Sequence, residues 1–187
     1  MRITKFSRID TVTVPDKFMS VITVGDGEPD DCSEIRSILE SDKDSIDYLA
    51  VVSDTDPLDR PDVYKIIKEV RPKGVKVMMV TDGRSPSILD DLIGAGYAHA
   101  LDLLIGKEVT AEQKECIGIA TDNGCKFAIT VQAKDHDENS LSSISDACDG
   151  CSMFIIRQDR DKPVSKSDMS KLVAAAKRCT WNVRTSV

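Results

Sequence analysis

Two kinds of stretch alternate along this chain: short apolar runs rich in β-branched residues, and longer segments in which apolar positions recur every three or four residues. The first kind falls at residues 18–24, 48–53, 75–81, 98–105, 126–131 and 152–157 and predicts strands. The second falls at residues 31–41, 61–70, 86–95, 111–123, 141–148 and 166–179 and predicts helices, each polar on one face. Punctuation agrees with the pattern. Asp59, Ser85 and Thr110 stand where N-caps belong, Pro61 and Pro86 sit near first-turn positions, and Gly74, Gly96 and Gly124 follow helices as C-cap candidates.

Runs such as VKVMMV and MFII carry no polar face, so these strands are expected to be buried on both sides. Strands of that kind separated by helices form a parallel sheet with right-handed crossovers. Six βα repeats make either an open doubly wound sheet or an incomplete barrel, and the period alone leaves both open. In either, ligands belong at the C-terminal ends of the strands.

Composition narrows the class without changing it. The 187 residues, 41% hydrophobic and 30% charged, read as one α/β domain spanning 1–187 that needs neither disulfides nor a structural metal. The N-terminal MRITKFSRID has no apolar leader, and no apolar run approaches the roughly 18 residues of a spanning helix, so no membrane association and a cytoplasmic location are expected. A net charge of −7 without a basic cluster argues against nucleic acid as a partner. The six cysteines are scattered and, in a reducing compartment, no disulfide framework is expected.

The loops after the strands hold the candidate chemistry: GDGEPDD (25–31), SDTDPLD (53–59), TDGRS (81–85), IGKE (105–108), QAKDHDE (132–138) and RQDRDK (157–162). Carboxylates crowd one rim. Asp26, Asp30, Asp54 and Asp56 could hold a hard cation such as Mg²⁺, although Asp beside Gly and Pro is also what turns and caps are made of. His136 could act as a general base oriented by Asp135 or Asp137, whereas His99, inside AHALDLL, reads as a satisfied core histidine. Cys148 and Cys151 have CxxC spacing, but they close a helix before a strand, the reverse of a redox motif, and read as buried structural thiols. There is neither a P-loop nor a GxGxxG fingerprint.

Several stretches, taken in order, resemble the radical S-adenosylmethionine family, in particular the activating enzymes of anaerobic ribonucleotide reductase and pyruvate formate-lyase. FSRIDTVTVPDKFMSVITVG is similar to the family's approach to its first barrel strand, where a phrase like SLVDYPGK precedes a strand ending in FTxGC. VVSDTDPLDRPDVYKIIKEVRPKGVKVMMVTDG resembles the stretch holding the GGEP motif, a helix and a strand ending in TNG. SPSILDDLIGAGYAHALDLL follows in the same manner, and WNVRT resembles the last strand.

The resemblance implies an incomplete (βα)6 barrel rather than an open doubly wound sheet. It also implies a CxxxCxxC loop carrying a [4Fe–4S] cluster, and here the chain departs from the family. Aligned on Thr23 to Gly25, the three cysteine positions hold Asp26, Asp30 and Ser33, with Cys32 one residue out of register. The GGEP positions hold Asp54, Thr55, Asp56 and Pro57, so side chains replace the two glycines that let backbone approach the cofactor. Cluster iron prefers thiolate to carboxylate, so no [4Fe–4S] cluster and no radical chemistry are expected. The expectation is a non-catalytic pseudoenzyme that binds a protein partner, as a regulatory subunit of an anaerobic enzyme system. Two alternatives stay open: a divalent-metal enzyme on the acidic rim, and a binder of S-adenosylmethionine or a nucleotide without a cluster.

Overall fold

The computed structural model describes residues 2–10, 19–25, 33–42, 46–53, 55–61 and 63–186. Among them lie strands β1 (Arg2–Asp10), β2 (Met19–Gly25), β3 (Tyr48–Ser53), β4 (Lys76–Thr81), β5 (Ala100–Leu104), β6 (Lys126–Gln132), β7 (Met153–Arg157) and β8 (Val183–Ser186). Helices α1 (Ser33–Asp42), α2 (Val63–Val70), α3 (Pro86–Gly94), α4 (Ala111–Asp122), α5 (Glu138–Ala147) and α6 (Lys166–Ala176) each connect one strand to the next from β2 onward. The strands form one sheet whose spatial order is the chain order; β1 runs antiparallel to β2 and every later pair is parallel.

A sheet in which each strand pairs with its successor through a right-handed helical crossover collects its helices on one side and curls around the other. Side-chain alternation follows that geometry. Leu49 and Val51 of β3, Val77 and Met79 of β4, Leu101 and Leu103 of β5, Phe127 and Ile129 of β6 and Phe154 and Ile156 of β7 join Ile66, Leu89, Cys116, Ile144 and Leu172 of the helices in one continuous core. The intervening residues, Met19, Val21, Ala50, Met78, Val80, Ala100, Ala128, Met153 and Ile155, make a second, smaller core on the inner face. Three alanines on that face suit a surface that narrows as it curves. Burying a large side chain such as Phe154, Ile22 or Leu49, all below 2% exposed, contributes about 1.5–3 kcal/mol. The fold is therefore α/β with seven parallel strands in an open, partial barrel: the six βα repeats that the sequence predicts, followed by β8.

The helix and strand positions match the sequence reading with three differences. Strand β1 is not in the hydrophobic pattern, and its register against β2 slips between Ile3 and Lys5 and again between Ser7 and Asp10. Each slip breaks the two-residue alternation that marks a strand. Helix α5 begins at Glu138, inside the polar KDHDENS stretch, because Asp137 and Ser140 form a reciprocal capping box. His99 is not a core histidine: it is exposed just before β5, and its Nδ1 accepts the Val77 backbone N–H at 3.2 Å.

Candidate functional site

The C-terminal ends of β3 and β4 are tied together by one buried carboxylate. Asp56, 6% exposed, accepts through Oδ1 from Leu58 N at 2.8 Å. Its Oδ2 accepts from Asp82 N at 2.8 Å and from the Thr81 hydroxyl. A carboxylate has about four acceptor sites, so the chain itself fills three of them. Thr81 Oγ1 in turn accepts from Gly83 N at 2.9 Å. The loop after β3 and the loop after β4 are thus one hydrogen-bonded unit.

Gln113 adds the third loop. It completes a capping box with Thr110 at the start of α4, and its Nε2 donates to Asp82 O at 2.7 Å and to Leu104 O at 3.2 Å. Gly83, at φ 77°, lies beneath it: a Cβ there would stand 2.8 Å from Leu103 Cδ2 and 3.0 Å from Gln113 Cγ. Asp82 pairs with Arg84 at 2.6 Å, yet burial and the neighbouring Asp56 carboxyl push its pKa above the usual carboxylate value. Asp82, Arg84, Leu104, Gly106, Thr110, Glu112 and Gln113 line an open depression of about 380 Å³.

A second polar group lies inside the barrel. Asp102 on β5 is fully buried, and its Oδ1 accepts from Thr130 Oγ1 of β6 at 2.7 Å. Its Oδ2 has no hydrogen-bond donor; the nearest cation, Arg157 of β7, is 4.0 Å away. Burial raises the Asp102 pKa, and Thr130 and Arg157 offset only part of that. The sequence reading took Asp102 for part of an apolar run. The available signal was a single charged residue within a strand otherwise buried on both faces.

Of the residues anticipated as degenerate cofactor or metal positions, Asp26, Asp30 and Asp54 lie outside the described residues. Ser33 is the exposed first residue of α1. Thr55 is exposed and accepts from Arg60 Nη1 at 3.3 Å, and Pro57 is buried at the first position of a 3-10 turn. Among the described residues, no three His, Cys, Asp or Glu side chains are placed to hold a metal ion. Cys116, Cys148 and Cys151 belong to the core between sheet and helices, and Cys125 and Cys179 pack against it, so these thiols lie away from the barrel interior.

His136 faces a groove shared with Lys134, Asp168 and Lys171. Neither ring nitrogen has a hydrogen-bond partner, and burial lowers its pKa against the opposing influence of Asp135 and Asp137. Asp137 is committed to capping α5, accepting from Ser140 N at 2.8 Å, and does not orient the imidazole.

No protein-family model and no curated protein matches the sequence. Solved structures share its fold. SuiB of Streptococcus suis bound to S-adenosylmethionine superposes at TM-score 0.67 and 14% identity, over 90% of this chain and 47% of its own. SuiB bound to its precursor peptide SuiA gives TM-score 0.65 at 14% identity, over 87% of this chain and 43% of that one. Deoxyribose phosphate aldolase from Aeropyrum pernix gives 0.57 at 20% identity, over 88% and 74% respectively. The chain therefore spans less than half of SuiB, and the likeness shows the fold alone, a partial barrel shared with both proteins.

Proposed function

We propose that this chain is a non-catalytic, radical-SAM-like barrel that acts by binding a protein partner at the C-terminal rim of its sheet, as a regulatory subunit of an anaerobic enzyme system. The observation that carries this reading is the commitment of Asp56. It stands at the Glu position of the GGEP phrase, and its carboxylate is held within the chain by Leu58 N, Thr81 Oγ1 and Asp82 N. Two backbone amides and one hydroxyl of the chain thus fill three of its acceptor sites, which supports a structural rather than a ligand-binding role for this carboxylate. The loop before α1 agrees, since Asp26, Asp30 and Ser33 stand at the cluster positions and hard oxygens are poor ligands for cluster iron.

A peptide partner is supported by the likeness to SuiB, which has been captured with a precursor peptide. The rim suits an extended, charged segment: Asp82, Arg84 and Glu112 surround the depression with both signs of charge.

Anaerobic reconstitution with iron and sulfide tests the first half. The protein is expected to stay colourless, and calorimetry with S-adenosylmethionine to give no heat; a broad absorbance near 400 nm, of the order usual for a [4Fe–4S] protein, overturns the reading. The second half fails if pull-down from native extract recovers this chain alone and light scattering finds a monomer.

A further inference from the structure

We infer that Cys151 and Cys179 are a modification site, a dithiol that closes into a reversible intrachain disulfide. Cys151 lies in the turn between α5 and β7, 4% exposed, and Cys179 lies just beyond the end of α6, partly exposed. Their sulfurs are 3.6 Å apart although the residues are 28 positions apart in the chain. A disulfide bond is about 2.05 Å long, so the sulfurs have roughly 1.5 Å to travel. Both residues sit in turns, where small backbone adjustments break no helix or ladder hydrogen bond. From sequence, Cys148 and Cys151 have CxxC spacing and read as buried structural thiols. Cys148 caps the end of α5, fully buried, where burial pushes its thiol up to about 12.

The two sulfurs divide the chemistry. Cys179 is the more accessible, and its contact with the Cys151 sulfur lowers its pKa, while the same contact and burial raise that of Cys151. With a low-molecular-weight disulfide as oxidant, the Cys179 thiolate attacks one of its sulfurs, forming a mixed disulfide and releasing one small thiolate. Cys151 then gives up its proton to solvent and attacks Cys179 Sγ, expelling the second small thiolate. Two protein thiols are oxidised and one small disulfide is reduced to two thiols.

The bond would join the start of β7 to the exit of α6. Cys179 is four residues before β8, and the connection is already held by Phe154 N on Asn182 O at 3.0 Å and Asn182 Nδ2 on Ser152 O at 3.1 Å. Oxidation thus fixes how the last strand is delivered to the sheet, and reduction frees it. A disulfide in a protein of a reducing compartment is of this transient kind.

The full-length protein, reduced and then equilibrated with oxidised glutathione, supplies the test. Peptide mapping without reductant is expected to yield a Cys151–Cys179 cross-link, the intact mass falling by about 2 Da and returning on reduction. Trp181, the single tryptophan, is 86% exposed and two residues from Cys179, so its fluorescence is expected to drop and recover in parallel. Cys148→Ser keeps both responses; Cys179→Ser abolishes both. A Cys148–Cys151 cross-link, or full alkylation of Cys151 and Cys179 after equilibration with excess oxidant, refutes the assignment, and mapping of the unmodified chain decides it without relying on any variant.

Discussion

Thr130 donates its hydroxyl to Asp102 across neighbouring strands at 2.7 Å, on a barrel face whose buried hydrophobic residues are Met, Val, Ala and Ile. That one donor leaves Asp102 Oδ2 unsatisfied, and burial keeps the carboxyl above its ordinary 3.8. The folded chain therefore holds this proton more tightly than the unfolded chain. Below 3.8 both states carry it and the group is indifferent to folding. As pH rises past that value the unfolded chain ionises first, and stability falls until the folded carboxyl ionises too. Asp102→Asn removes the decline: its denaturation midpoint is expected to equal that of the parent in acid and to exceed it near neutrality. A gain of about 1 kcal/mol would raise Tm by about 2–4 °C. A variant less stable than the parent near neutrality would mean that attraction to Arg157 outweighs burial.

Asp56 differs from Asp102 in being hydrogen-bonded through both of its oxygens. Asp56→Ala leaves Leu58 N, Asp82 N and the Thr81 hydroxyl without their acceptor, a loss on the order of 3 kcal/mol. Thermal unfolding is expected to move down by about 6–12 °C. Asp56→Asn retains one acceptor oxygen and falls between the two. If Ala and the parent melt together, Asp56 is not the tie between the two loops.

Gly83 and Gly74 separate backbone strain from crowding. Both are left-handed, at φ 77° and 75°, but a Cβ on Gly74 meets nothing within 4 Å whereas one on Gly83 meets Leu103 and Gln113. Gly74→Ala is expected to cost about 1 kcal/mol from conformation alone. Gly83→Ala adds an overpacking penalty of about 1–3 kcal/mol and loosens the Gln113 clamp on Asp82 and Leu104. Equal denaturant midpoints for the two variants would contradict the close approach at Gly83.

The repeat was legible because β3 to β7 are apolar on both faces and their helices on one, a difference that period reports directly. Gly74, Gly96 and Gly124 mark helix exits in the sequence and adopt the left-handed conformation there, at φ 75°, 68° and 64°. The site was less legible. Asp102, Thr130 and Arg157 come from three strands and meet only once the sheet curves, and no local pattern encodes that meeting. Asp56 was visible as a rim carboxylate, but its role depends on Thr81 and Asp82, which the β4 register brings to it. Cys151 was read with its sequence neighbour Cys148 because spacing is visible, whereas its contact with Cys179 depends on how α6 returns to the sheet.

Each strand of this sheet lies beside the one made just before it. A chain emerging from the ribosome meets its template in order: once β2 and β3 have paired, every further βα unit has an edge to add to, and no strand waits for a later one to be inserted between it and its neighbour. Loop closure at each step spans one helix rather than the whole chain, which keeps contacts local and favours fast, stepwise growth. Assembly can therefore follow synthesis, from the N-terminal pair to β8.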